Sequence, residues 1–423
     1  MQNKLPQGWV ECQLGDVFEI ITGKTPPKKN PEYFNGDIPF VKPGDLDKEI
    51  YITQTEDDSL TVEGLKYAPN LPKNTVLVSC IGNLGKKAIL GVVGSCNQQI
   101  NAIIPNGYIE NKYTYFYIDK IVPWLEANAS ATTVKILNKG KFEQAPFLLP
   151  PQNEQRRIVE KIESEFAKID EGLEHLENAK EQIKQYRQSV LKSAFDGKLY
   201  KTSEWKETIL KEVSNKISDG SHNPPPKQQV GIPMLSGQNI KNSQIIFDDF
   251  RLISEKDFDK EYKRTPIEEN DILLTIVGTI GESAVVPKNT QKFVLQRSVA
   301  LIKPNNINSR FLKYYFDSPI SKYYFKTQER GTAQKGIYLN TLKNLPVLLP
   351  SMIEQKRIVE EIEKRFAIAD EVEKVVEDNI EKAKQLKQSI LKKAFEGNLV
   401  PQEPTDEPAS TLLEKIKQER SKK

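Results

Sequence analysis

Asn223-Pro224-Pro225, inside "HNPPPK" (His222–Lys227), begins the Asn-Pro-Pro-aromatic motif with which amino-methyltransferases hold a target amino group. In that motif the Asn side chain and a backbone carbonyl accept the amino hydrogens, while the aromatic ring stacks on the flipped base. Here the fourth position is Pro226, and no strand–Gly-x-Gly–helix pattern for S-adenosylmethionine precedes it, so the stretch reads as a rigid loop. Two Gly-centred turns, "IGNLGK" (Ile81–Lys86) and "VGTIGE" (Val277–Glu282), lack the G-x-x-x-x-G-K-[ST] spacing that cradles phosphates. The two histidines, His175 and His222, have no evident Ser or Cys nucleophile beside them. Cys12, Cys80 and Cys96 form no C-x-x-C pair, and with two histidines they make no zinc-like set. Acidic clusters such as "TEDDS" and "DDF" read as solvated loops. Catalysis is not expected of this chain.

Binding chemistry is better represented. "TGKTPPKK" (Thr22–Lys29) and "SDGSHNPPPK" (Ser218–Lys227) are polar loops in equivalent places, each early in a block of about 150 residues. Later come "CNQQINA" (Cys96–Ala102) and "LQRSVA" (Leu295–Ala300), with Gln, Asn and Arg among apolar strand residues. "ATTVKILNKGKF" and "GTAQKGIYLNTL" close the two blocks. Gln and Asn can bond adenine bidentately, Arg and Lys can bond guanine, and a Thr methyl can meet a thymine methyl. Any one such loop reads equally well as ordinary turn chemistry or as a binding loop; their recurrence in both blocks favours a binding role.

The elements that hold these loops are written twice. "LPPQNEQRRIVEKIESEFAKID" (Leu149–Asp170) returns as "LPSMIEQKRIVEEIEKRFAIAD" (Leu349–Asp370), and "SVLKSAFDGKL" (Ser189–Leu199) returns as "SILKKAFEGNL" (Ser389–Leu399), both 200 residues later. Weaker echoes join "VLVSCIGNLGKKA" to "ILLTIVGTIGESA" and "DIPFVKPGDL" to "GIPMLSGQNI", and Trp9 and Trp205 open the two copies. Strands are expected at Val76–Cys80, Ile100–Ile104, Ile272–Val277 and Val299–Ile302, which are β-branched runs bounded by Gly, Pro or Asn. The aromatic, helical stretches "NKYTYFYI" and "SRFLKYYF" are expected to pack the core.

Each block leads into a long helix. Glu154–Ala194 and Glu354–Ala394 contain no Pro and a single Gly, Gly172. Phe166, Ile169, Leu173, Leu176, Ile183, Val190 and Ala194 fall on alternating three- and four-residue steps. Phe366, Ala369, Val376, Ile380, Ala383, Ile390 and Ala394 do the same, which is a heptad seam. Lys180, Arg187, Glu373 and Lys387 interrupt it. Pro150–Pro151 and Pro350 stop the preceding strands, and Gly197 and Gly397 stand where C-terminal caps belong. About 41 residues span roughly 60 Å of helix, and so narrow an apolar stripe needs a partner. Two matched seams in one chain are expected to pair with each other. Duplicated units associate with two-fold pseudosymmetry, which makes the pair antiparallel and sets the blocks at opposite ends.

The 423 residues suffice for two or more domains, with 38% hydrophobic and 28% charged residues and a net charge of +3. Residues 1–148 carry 15 Lys/Arg against 16 Asp/Glu, and residues 201–348 carry 22 against 16. The second block therefore suits a polyanion overall, whereas basic surface in the first must be local. No apolar run approaches a membrane span, and the N-terminus lacks a secretory pattern, so a cytoplasmic protein with reduced thiols is expected.

L-P-P-x-x-E-Q-x-R-I-V after a variable block, an F-x-G-x-L helix end, and repetition of the whole unit resemble the specificity subunit of type I restriction–modification enzymes. The resemblance covers nearly the whole chain. It implies an α+β fold: two mixed α/β target-recognition domains at opposite ends of an intramolecular antiparallel two-helix coiled coil, duplicated with pseudo-two-fold symmetry. The boundaries become 1–148 and 201–348 for the recognition domains, 149–200 and 349–400 for the helices, and 401–423 for a polar tail. Each domain would read one half of a bipartite site in double-stranded DNA, and the coil would set the spacing. Two methyltransferase (modification) subunits would dock on the coil, joined by restriction/translocase subunits. S-adenosylmethionine, ATP and Mg would belong to those partners, with no cofactor in this chain. The resemblance fixes regions rather than side chains. Within them the candidate DNA contacts in the first block are Lys24, Thr25, Gln98, Gln99, Thr133 and Lys135. In the second they are Ser221, His222, Gln296, Arg297, Thr332, Gln334 and Lys335. The sequence does not give the role of the tail; its amphipathic segment, Thr411–Arg420, is a candidate partner dock. A stand-alone coiled-coil interaction protein and a methyltransferase with a divergent site stay open as alternatives; the first gives no reason for the paired polar loops.

Overall fold

The computed structural model describes residues 5–56, 58–131, 134–200, 204–331 and 335–422. The chain divides into two compact units, one of residues 1–175 with 379–423 and one of residues 176–378. Each unit takes one globular block, the start of one long helix and the end of the other.

In the first unit, the strand Val76–Ser79 lies at the centre of a five-stranded sheet and is buried throughout, as its unbroken apolar run requires. Ile100–Ile103 and Lys87–Leu90 flank it antiparallel, and Ile20–Thr22 pairs with Ile100–Ile103. In the second unit Ile272–Thr275 holds the same place, between Val299–Pro304 and Ser283–Val285, with Ser214–Asp219 outside. The registers match residue for residue: Val76 faces Ile103 as Ile272 faces Ile302. A smaller three-stranded sheet joins each block, around Phe34–Val41 and Ile232–Leu235. The first and last strands of each block pair antiparallel, Val10–Gln13 with Pro146–Leu149 and Lys206–Ile209 with Pro346–Leu349. The aromatic helices Asn111–Asn128 and Ser309–Asp317 bury Tyr113, Phe116, Tyr117, Phe311, Tyr315 and Phe316, as expected.

One ion pair with a buried lysine is kept by different means in the two blocks. Lys87 reaches from a strand to Asp119 in the first helix, its ammonium over the Tyr115 ring. The register puts Ser283 where Lys87 stands, and its hydroxyl donates to Asp317 at 3.0 Å. The cation comes instead from Lys313, on the same helix as Asp317 and 2.7 Å away. The lysines are the buried partners, and a buried ammonium needs a compensating charge, which the helix aspartate supplies whichever element carries the cation.

The long helices run Gln152–Phe195 and Met352–Phe395. In the first unit Ile158 and Ile162, near the start of one, share a core with Ile390, Ala394 and Phe395, near the end of the other. In the second unit Ile358 and Ile362 share a core with Val190, Ala194 and Phe195. Within each unit the two helices are therefore antiparallel. None of the fourteen expected seam residues is exposed. The polar interruptions are paired across the helices. Arg187 donates to Asp370 at 2.6 Å and to Glu373 at 2.9 Å, with its guanidinium over the Phe366 ring. Lys387 meets Asp170 and the Phe166 ring in the same way, and Lys180 meets Glu377 at 2.8 Å. Cross-helix pairs of this kind favour one register over its neighbours.

The repeated Glu-Gln also has a structural reason. Gln155 accepts a hydrogen bond from the Glu110 amide at 2.9 Å and donates to the Pro150 carbonyl at 3.0 Å. Gln355 does the same with Asn308 N and Pro350 O, at 2.8 and 2.9 Å. Each glutamine thereby ties the long helix both to the entry of the aromatic helix and to the strand end before it. Both helices end in Schellman caps: Gly197 and Gly397 take φ of +72° and +70°, and Lys198 N and Asn398 N donate to Ser193 O and Lys393 O.

The tail belongs to the first unit. Its helix, Ala409–Ser421, buries Ala409, Leu412 and Ile416 in the core of the first unit. Asp406 accepts from Arg157 at 2.6 Å and from Asn153 at 3.3 Å, and Ala409 N donates to Gly8 O at 2.9 Å. Glu419 meets the Tyr108 hydroxyl, and Arg420 reaches Gly15 O. The apolar face that suggested a partner dock is consumed within the chain. No helix among the described residues is long and apolar enough to cross a membrane.

Candidate nucleic-acid interface

Backbone hydrogen bonds draw the expected loops into one edge in each block. In the first, Gly23 N donates to Ile100 O and Lys24 N to Cys96 O, both at 3.0 Å. Cys80 N donates to Gln99 O at 2.8 Å, Leu137 N to Cys80 O at 2.9 Å, and Gly82 N to Lys135 O at 2.9 Å. The second block repeats the pattern. Gly220 N donates to Val299 O, Ser221 N to Leu295 O and Ile276 N to Ser298 O. Ile337 N donates to Ile276 O, and Gly278 N to Lys335 O. Lys24 and Thr25 therefore correspond to Ser221 and His222, Gln98 to Arg297, and Lys135 to Lys335. Glycine is required where the first loop crosses: a Cβ on Gly23 would lie 2.1 Å from Asn97 O, and one on Gly220 would lie 2.1 Å from Leu295 O. No other residue fits that approach.

The frame sorts the candidate side chains. Lys24, Gln98, Lys135, His222, Arg297 and Lys335 are exposed, and Thr25 is half-buried. Gln98 accepts from the Thr25 hydroxyl at 2.7 Å. Lys135 and Lys335 pair with Glu126 and Glu329, so each ammonium would have to leave a carboxylate to meet DNA. Three candidates are committed to the frame itself. Gln99 accepts from Asn97 Nδ2 at 3.1 Å, Gln296 accepts from Ser298 Oγ at 2.8 Å, and Ser221 is buried with both backbone groups bonded. Thr133, Thr332 and Gln334 lie outside the described residues.

In the second block His222 and Arg297 line a cleft of about 390 Å³ together with Asp219, Arg330 and Tyr338. Asp219 accepts from Arg264 at 2.8 Å and sits 2.6 Å from His222 Nε2, which fixes the ring. Arg297 has no ion pair among the described residues, which leaves its donor fork open. Asp219, Arg330 and the exposed Tyr338 were not singled out from sequence. The signal available was slight: Asp219 precedes the crossing glycine, and Tyr338 is a large ring before a short helix. Elsewhere, burial pushes the Cys12, Cys80 and Cys96 thiols up to about 12, so all three are protonated at neutral pH.

The family model for the type I restriction modification DNA specificity domain matches residues 6–185 and again 202–382. The chain belongs to the type I DNA specificity family. A type I specificity subunit of Escherichia coli, that of EcoBI, is 33% identical over 348 residues, covering 74% of this chain and 73% of the relative. The EcoKI specificity subunit of E. coli K12 is 28% identical, covering 99% of this chain and 97% of the relative. Among solved structures, a chain of a type I R-M system superposes with a TM-score of 0.72 at 20% identity, covering 93% of this chain and 99% of that one. The HsdS subunit of Thermoanaerobacter tengcongensis gives 0.53 at 20% identity, covering 94% and 99%. These likenesses extend to the fold. As a type I specificity chain, the protein carries two DNA specificity domains, and the two bonded edges are one such domain's frame seen twice.

Proposed function

We propose that each block reads one half of a bipartite site in double-stranded DNA, and that the paired helices set the gap between the halves. The helices would also dock two methyltransferase (modification) subunits, with restriction/translocase subunits joining the complex. The chain itself would be a non-catalytic recognition subunit acting in the cytoplasm, with S-adenosylmethionine, ATP and Mg used by its partners. One observation carries this reading: the same backbone frame occurs in both blocks, presenting different outward side chains, while the helices beneath are nearly alike. Half-sites of different sequence need different base-reading groups, whereas similar partner subunits need similar helices. Phosphate contacts would supply most of the affinity and base edges the selectivity.

The test exchanges residues 1–148 for the first block of another family member and reads the methylated motif of cells carrying the chimera with its modification subunits. One half of the motif should change and the other persist. Change in both halves, or in neither, would overturn the division of labour.

A further inference from the structure

The two blocks place Gln98 and Arg297 at one and the same point of the frame. Each lies two residues after the one whose carbonyl accepts from the crossing loop, Cys96 or Leu295, and each precedes the residue whose carbonyl accepts from the central strand's end, Cys80 or Ile276. Both are exposed, between neighbours bonded to each other: Asn97 with Gln99 on one side, Gln296 with Ser298 on the other. The frame thus presents one exposed side chain at this point, and the blocks differ in what it is.

We infer that this frame position reads corresponding base pairs of the two half-sites, an A·T pair opposite Gln98 and a G·C pair opposite Arg297. The inference rests on the proposed reading of half-sites and adds which base each block selects. Gln98 Oε1 accepts from Thr25 Oγ1 at 2.7 Å, which orients the amide. A carbonyl oxygen has a second lone pair, and Nε2 keeps its hydrogens, so the amide still offers one acceptor beside one donor. Adenine's major-groove edge asks for that couple, donating from N6 and accepting at N7. Arg297 offers donors alone, and guanine presents two acceptors, O6 and N7. The carboxylate in its cleft, Asp219, is already held by Arg264 and His222, so it does not compete for the guanidinium. Because the frame is shared, the side chains should be interchangeable.

The experiment uses the full chain assembled with its modification subunits, in cells without other methyltransferases, and reads the methylated motif by sequencing. Gln98→Arg should turn one A·T pair of the first half-site into G·C, leaving the second half-site as it was. Arg297→Gln should do the reverse in the second half-site alone. Modification at the original motif should fall about ten-fold or more in each, the size of one lost bidentate contact. The same purified complexes are also offered a randomised pool of duplexes, so that a variant that no longer methylates still reports its base preference. Thermal unfolding and partner assembly should match the parent, because both side chains are exposed. An unchanged base preference in either folded variant, or a change in the other half-site, overturns the assignment. If instead the unaltered complex shows no sequence preference in the pool, the half-site reading itself fails. A parent motif that responds to neither exchange sinks only the base assignment.

Discussion

Arg297 and its neighbour Gln296 differ in fate although both could have bonded a base. Gln296 accepts from Ser298, while Arg297 is exposed and has no ion pair among the described residues. Arg297→Ala should therefore weaken binding to the cognate site by about 1–3 kcal/mol and blunt discrimination at one position. Titration of cognate and random duplexes at several salt concentrations checks it. Equal losses on both, with the salt slope reduced by about one, would make Arg297 a phosphate contact instead. The residue types of the interface were legible in the sequence, because Gln, Arg, Thr and Lys stand out among apolar strand residues. Their direction was not. Alternation along a strand assigns faces only when the register is known, and here the register depends on loops far apart in the chain. Ser221 shows the consequence: its counterpart Lys24 is exposed, yet Ser221 is buried beside Leu295.

Elements announced themselves more clearly where local rules act. The helix ends followed from Pro before and Gly after, and the seam from three- and four-residue spacing. What the Glu-Gln repeat was for could not be read, since its partners Glu110 and Asn308 lie more than 40 residues away. Gln355→Ala should leave Asn308 N and Pro350 O without their partner and destabilise the second unit by about 1–3 kcal/mol. Urea unfolding followed by circular dichroism measures it; a loss within error would show that water takes the place of the amide. The tail illustrates the opposite limit. An amphipathic segment reveals that it has an apolar face but not which surface covers it. Its attachment should depend on acidity. The bond from Arg157 holds the Asp406 carboxyl below its ordinary range. A depressed folded value means the pair contributes fully above the ordinary carboxylate range and is lost as pH falls through the lowered value. Proteolysis of the tail should accelerate on that acid side, and Asp406→Asn should remove the dependence.

For the molecule as a whole, duplication was the most legible feature, because a 200-residue repeat needs no knowledge of contacts. If the paired helices set the distance between half-sites, their length is the adjustable quantity. Inserting one matched heptad near Leu176 and another near Val376 preserves the seam and adds seven residues, roughly 10 Å of helix. At ~3.4 Å per base pair the unspecified gap should lengthen by up to about three base pairs, with both half-site sequences intact. Methylation-motif sequencing reads the result, and an active enzyme with the old gap would leave the helices as a partner dock only.

Each compact unit borrows a helix end from the other half of the chain: the first block packs against Ile390–Phe395, and the second against Val190–Phe195. Those ends are close copies, "SVLKSAF" and "SILKKAF". A chain of residues 1–200 alone would thus lack both that helix end and the tail helix; a twin could lend it Ser189–Phe195 in place of the first, leaving the surface under the tail helix bare. Half a gene should then yield a homodimer whose two readers are identical, and its target should become a palindrome interrupted by a gap. Sedimentation of that fragment, assembled with its modification subunits, should give two copies; a stable single copy would mean that the borrowed helix end is dispensable.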